Sequence, residues 1–233
     1  MVHVERGGDG PLLVLLHGLG ATGEVWRDVV PHWPGSWLVP DLPGHGRSAP
    51  MSRYSFGSFA AAVAAAIPPS GQVAVIGHSL GGVVGLALAS GWFGVSVSSV
   101  VGVGIKVRWS EPELEKAASL AARPARVYET REEAVERASK VAGVRLLDGV
   151  TEVDGGWRIS LDEKAFAVGA PDMRSLLRAC TARVTLAAGE YDPMGPPQHL
   201  SSFVPDPYVL AGEGHNVHVE SPAALVPLLD KLR

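Results

Sequence analysis

The chain has 233 residues, 20 basic and 24 acidic side chains and a net charge of −4, which is one large domain or one domain with a small accessory piece. The charge balance supplies no basic footprint for nucleic acid, and a hydrophobic content of 46% excludes a disordered chain. The one cysteine, Cys180, allows neither an internal disulfide nor a thiolate cluster for structural zinc.

In chain order, the first residues from Met1 to Gly8 show no basic start leading into an apolar stretch, so the expected compartment is the cytoplasm. Residues 11–16, 72–76, 95–103 and 183–188 are short apolar runs without strict alternation. Such runs fit strands buried on both faces, hence a mostly parallel sheet covered by helices. Residues 37–39 and 208–210 read as shorter strands of the same sheet. A helix is expected over the alanine-rich 58–67, stopped by Pro68-Pro69, and another over 80–89, directly after its strand. Ser221-Pro222 should open the last helix with serine as N-cap, and Pro227 should break or kink it. From Tyr54 to Ile105 there is no charged residue, but Pro68, Pro69 and the glycines at 71, 77, 81, 82, 91 and 94 interrupt any membrane-length apolar run. The alternation of strands and helices therefore predicts an α/β fold with a mostly parallel central sheet flanked by helices.

Residues 106–170 interrupt that alternation. Helices are expected over 111–122, with Leu114, Ala117, Ala118 and Ala121 on one face, and over 130–142, with Ala134, Val135, Ala138 and Val141 on one face. A β-hairpin is expected at 150–159 around Asp154-Gly155-Gly156. The expected organisation is a core of residues 1–105 and 171–233 with a cap of residues 106–170.

Gly77-His78-Ser79-Leu80-Gly81 matches G-x-S-x-G between an expected strand and an expected helix. In that context the pattern is a sharp turn that lifts a serine hydroxyl out of the sheet. With this motif the chain resembles the α/β-hydrolase superfamily. His17-Gly18-Leu19-Gly20 is similar to the family's oxyanion loop, and 41–48 (Asp-Leu-Pro-Gly-His-Gly-Arg-Ser) to the loop after the next strand. Gly189-Glu190-Tyr191-Asp192 matches its acid position and Gly214-His215-Asn216 its base. The family's first two strands normally form a hairpin, and with about ten residues before the run at Pro11 one of them is expected to be missing or vestigial.

The resemblance implies Ser79 as nucleophile, His215 as its base and Asp192 as the group orienting the imidazole. The backbone N–H groups of Leu19 and Leu80 are the oxyanion candidates. Glu190 is the rival acid and His218 the rival base. His17 and His45 are expected to brace backbone, and His78 to line the site or support it. His215 and His218 alone make too few ligands for a metal, so no metal and no cofactor are expected. Trp109 and Trp157 are candidates for substrate contact, and Leu114 and Val135 for shaping the pocket under the cap.

The leading expectation is hydrolysis of a carboxylic ester of a small molecule through an acyl-serine intermediate, without nucleic-acid or membrane partners, as a monomer or dimer. One alternative keeps the triad for C–C bond hydrolysis or for an elimination like that of the menaquinone-pathway synthase, a branch similar around residues 189–192 and 214–222. That branch carries an arginine where this chain has Val83. Another alternative is a non-catalytic ligand receptor on the same fold.

Overall fold

The computed structural model describes residues 1–69 and 71–233. Nine strands form among them: β1 (Val4–Gly7), β2 (Leu12–Leu16), β3 (Trp37–Pro40), β4 (Gln72–His78), β5 (Ser96–Val103), β6 (Val150–Val153), β7 (Gly156–Ile159), β8 (Arg183–Gly189) and β9 (Tyr208–Leu210). The helices are α1 (Phe56–Ala64), α2 (Leu80–Leu88), α3 (Glu111–Ala121), α4 (Arg131–Ala142), α5 (Met173–Ala179), α6 (Pro197–Leu200), α7 (Val217–Glu220) and α8 (Val226–Asp230). Seven strands make one sheet in the order β1-β3-β2-β4-β5-β8-β9, parallel except for β1. A single strand thus precedes β2 among the described residues, and it pairs antiparallel with β3, Val4 opposite Pro40.

Each apolar run feeds both faces of the sheet, as the two-residue period of a strand requires. Val14, Leu16, Val73 and Val75 pack with Phe59, Val63, Val84 and Leu88 on one side. Leu13, Leu15, Ala74 and Ile76 pack with Trp26, Val29, Leu225 and Leu229 on the other. Each fully buried leucine contributes about 1.5–3 kcal/mol relative to exposure. No helix of the described residues is long and apolar enough to cross a membrane.

Local chemistry moves some helix ends away from the sequence expectation. α1 begins at Phe56 rather than 58, because Ser55 and Ser58 form a reciprocal capping box. The C-terminal segment breaks ahead of Pro227 as expected, into a 3-10 turn at Pro222–Leu225 followed by α8. Ser221 precedes that turn, but its side chain makes no capping hydrogen bond.

The chain between β5 and β8 carries α3, α4, the separate β6–β7 hairpin, a 3-10 stretch at Glu163–Val168, and α5. No residue of α3 is buried and Ala118 is exposed, so the expected apolar face of α3 is not a core face; α3 lies against Glu163–Val168. α4 buries Ala134 and Ala138 and packs on the hairpin. This block joins the rest both by apolar packing, with Leu161 and Ala165 in the cluster of Phe59 and Val84 and with Ala138 and Leu146 in that of Trp26 and Leu225, and by polar contacts. The Glu24 carboxylate accepts the N–H groups of Leu147 and Asp148 at 2.7 Å each. The Tyr54 hydroxyl donates to Asp162 Oδ2 at 2.7 Å, and Gly46 N–H to the Ser160 carbonyl at 2.8 Å.

Candidate active site

Parallel pairing places the reactive loops side by side. β2 and β4 run from Leu12 opposite Val73 to Leu16 opposite Gly77, so residues 17–20 emerge beside Ser79. His78 lies opposite Val103 on β5, and Val103 opposite Ala187 on β8. The carboxyl ends of parallel strands thereby line up along one edge, where open α/β sheets bind ligands.

Ser79 sits at φ 49°, ψ −114° and is the only non-glycine residue with positive φ among the described residues. Holding a side chain there costs on the order of 1–3 kcal/mol. The turn is fixed by its Ser79 N–H, which donates to the Val103 carbonyl at 2.8 Å. It also requires the flanking glycines: a β-carbon at Gly77 would lie 2.2 Å from the Gly81 carbonyl oxygen, and one at Gly81 2.2 Å from that of Leu16. α2 then begins at Leu80, whose N–H has no intrahelical acceptor because it opens the helix.

His215 donates from Nδ1 to Asp192 Oδ2 at 2.8 Å, which leaves Nε2 as the basic nitrogen. Asp192 is buried, and its Oδ1 accepts the N–H groups of Met194 at 2.8 Å and Gly195 at 3.0 Å. Burial alone would raise the Asp192 carboxyl. The His215 hydrogen bond and charge, with the two N–H groups, outweigh burial and hold it below the usual carboxylate range. The rivals are placed elsewhere: Glu190 is exposed and accepts the Gly212 N–H at 2.8 Å, and His218 is buried against His78 and Trp26. Ser79 and His215 meet as walls of one cavity; among the described residues no hydrogen bond joins the Ser79 hydroxyl to the imidazole. Such contacts tighten on substrate binding in sites of this kind.

The cavity has a volume of about 470 Å³ and includes Leu19, Leu80, His78 and Trp109 among its walls. Leu114 and Val135 are not among them. The inner surface is built instead by Phe166 and Val168 of the 3-10 stretch and by Val141 and Val144 at the end of α4. The reason is packing: α3 rests on Glu163–Val168 and stays outside it, and α4 meets the site with its last turn. Trp157 also lies elsewhere, stacked under the Arg131 guanidinium at 5.8 Å in the hairpin.

His78 joins the two reactive loops. Its Nε2–H donates to the His215 carbonyl at 3.0 Å, its ring lies 4.1 Å from that of His218, and a β-carbon at Gly18 would come within 2.9 Å of its Nδ1. Burial, then the neighbouring His218 and His215, hold it well below the usual imidazole range. His17 is neutral too: its Nε2 accepts the Leu42 N–H at 2.8 Å and its Nδ1 donates to the Gly18 carbonyl at 2.8 Å, so it ties the oxyanion-type loop to the loop after β3. His45, hydrogen-bonded to the Pro43 carbonyl, likewise braces backbone. One site residue escaped the sequence reading. Gly104, at φ 62°, turns the chain after β5, and a β-carbon there would stand 3.2 Å from both Asp192 Oδ2 and His215 Nδ1. Its position just past a strand's carboxyl end was the available signal. No group of three or more His, Cys, Asp or Glu among the described residues is placed to hold a metal ion.

Comparison with known proteins adds three kinds of likeness. A pimeloyl-[acyl-carrier protein] methyl ester esterase of Aeromonas hydrophila subsp. hydrophila is 47% identical over 92 residues, 38% of this chain and 35% of that protein. The magnesium-chelatase 30 kDa subunit of Rhodobacter capsulatus is 38% identical over 110 residues, 41% of this chain and 34% of that protein. The chain thus spans about a third of the length of these curated relatives. Among solved structures, E-2-(acetamidomethylene)succinate hydrolase superposes with a TM-score of 0.82 at 23% identity, covering 99% of this chain and 94% of that one. An esterase of M. tuberculosis does so with a TM-score of 0.78 at 22% identity, covering 99% and 88%. The model of the alpha/beta hydrolase family matches residues 13–228, from the second residue of β2 through every later strand, and the chain belongs to that family.

Proposed function

We propose that this protein is a serine hydrolase that cleaves a carboxylic ester of a small molecule through an acyl-serine intermediate. The observation that carries the reading is the pairing of a strained Ser79 elbow with an Asp192–His215 couple on the same cavity. The Ser79 Oγ attacks the ester carbonyl carbon while His215 Nε2 takes its proton, and the carbonyl oxygen becomes an oxyanion facing the N–H groups of Leu19 and Leu80. The C–O bond then breaks, His215 returns the proton to the leaving alcohol, and water repeats the sequence on the acyl-serine to release the acid. Asp192 holds the imidazole in the tautomer that can accept that proton. Residues 106–170 act as a cap whose inner surface, with Phe166 and Val141, sets the acyl and alcohol pockets. The names of the relatives, an esterase of an acyl-carrier-protein methyl ester and a mycobacterial lipase, support ester chemistry. Val83, an apolar wall of the cavity, leaves no guanidinium beside the nucleophile and so supports hydrolysis over the synthase-like elimination.

The test pairs a fluorophosphonate probe with a p-nitrophenyl ester panel of increasing acyl length. Wild type should be labelled on Ser79 and turn over short esters, and Ser79→Ala should lose both. An adduct on the Ala variant, or unchanged ester turnover by it, overturns the assignment.

A further inference from the structure

The cavity is apolar almost throughout, with Leu19, Phe56, Val83, Val141, Phe166 and Met194 in its wall, yet two lysines, Lys106 and Lys140, also line it. Among the described residues no carboxylate lines it, in a chain with an acidic excess overall.

The two lysines come from different elements. Lys106 lies three residues beyond Val103, the residue whose carbonyl accepts the Ser79 N–H. Its side chain is only 16% exposed, its ammonium pairs with Glu113 and sits 4.6 Å from the centre of the Trp109 ring. Lys140 stands in the last turn of α4, on the oxyanion-type-loop side. There a β-carbon at Gly20 would meet Val141 Cγ1 at 2.6 Å, and the Asn216 amide donates to the Gly143 carbonyl at 3.1 Å, tying this turn to the residue after His215. Among the described residues Lys140 has no acidic partner within ion-pair distance. One cation is therefore already answered by Glu113, and the other, an exposed residue at the edge of the cavity, has no ion-pair partner among the described residues. An unpaired charge at the mouth of an apolar cavity raises the local concentration of the opposite charge and orients a ligand that brings it.

We propose that the ester cleaved here carries an anionic group, a carboxylate or a phosphate, remote from the scissile carbonyl, and that Lys140 binds this group with Lys106 as the second cation of the subsite. This rests on the ester-hydrolase reading. An apolar spacer would lie against Phe166 and Val141, with the reacting carbonyl at Ser79 and the anion at the α4 side of the mouth.

The experiment compares kcat/KM for the monomethyl ester of a linear dicarboxylic acid, a methyl ester of matched length ending in a phosphate, and a neutral methyl ester of matched length. Wild type should prefer one of the anionic esters over the neutral one by about tenfold, the scale of a single charge-assisted contact. The preference should shrink as salt is raised. Which anionic ester leads separates carboxylate from phosphate. Lys140→Gln should bring the anionic-to-neutral ratio close to one. Lys116→Gln, which removes an exposed charge of α3 outside the cavity, should leave the ratio as in wild type. No preference in wild type, or a preference that survives Lys140→Gln, overturns the proposal. A second measurement separates it from the reaction itself: calorimetric binding of the monomethyl and phosphate esters to Ser79→Ala, with and without Lys140→Gln. If wild type hydrolyses no ester while this binding depends on Lys140, the hydrolase reading falls and the anion subsite stands. If esters are hydrolysed and the binding ignores Lys140, the subsite falls alone.

Discussion

The helix that follows Ser79 and the helices of residues 106–170 are built on different terms. Every residue of α2 is buried, whereas α3 buries none and α4 only two alanines. Around α2 the chain is held by backbone passing backbone, with Gly81 against Leu16. Residues 106–170 join the rest through a few apolar side chains, Leu146, Leu161 and Ala165 among them, and through hydrogen bonds to Glu24, Gly46, Tyr54 and Asn216.

The contrast can be broken most sharply at the acid. Asp192→Asn should fold normally and lose on the order of 10⁴-fold in kcat, because the imidazole loses its orienting anion; a loss below tenfold would move that role away from Asp192. Next in size is Gly81→Ala. Its β-carbon would run into the Leu16 and His17 backbone, so urea unfolding should show a destabilisation of about 3 kcal/mol. Ala118→Ser, on the exposed side of α3, should stay within about 0.5 kcal/mol. Equal losses at the two positions would erase the distinction.

Acid should find the same divide. Burial, foremost, lowers His45 and His218 to about 3, and it lowers His17 and His78 as well. All four lie outside residues 106–170, which contain no histidine. A histidine depressed in the folded state binds fewer protons there than when unfolded, so its neutral, folded form is favoured fully above the ordinary value near 6.5. That stability is lost as pH falls from about 6.5 toward 3. Melting temperature should therefore drop across this window, and His45→Gln should flatten the slope; an unchanged slope would exclude His45 as a contributor. The smallest effect belongs to the cap. Val141→Ala should shift preference among acyl lengths by about 1–3 kcal/mol in transition-state discrimination, while Leu114→Ala should leave that preference alone. Kinetics on a C2 to C8 ester series at matched folded fraction would decide it.

The sequence made the buried region legible and the cap only partly so. Strands at 72–78 and 183–189 announce themselves because a strand covered on both faces must be apolar throughout. Ser79, Asp192 and His215 could be proposed because each stands in a loop whose local motif constrains it. Leu114 and Val135 were misplaced because helical periodicity says which residues share a face, not what that face will meet. The α3 face meets the 3-10 stretch at Glu163–Val168, and a pairing between separate elements leaves no local trace. Phe166 and Val141 entered the cavity wall by the same route. The start of α1 was readable in the Ser55–Ser58 pair, but the alanine run beyond it carried more weight.

The left-handed turn at Ser79 has a consequence for how this sequence drifts. Glycine adopts that turn without strain, so a chain selected for endurance alone would exchange its serine for glycine and gain stability by doing so. Randomised libraries sorted only for folding should therefore lose the hydroxyl at this position early, and those sorted for turnover should keep both it and the strain that comes with it.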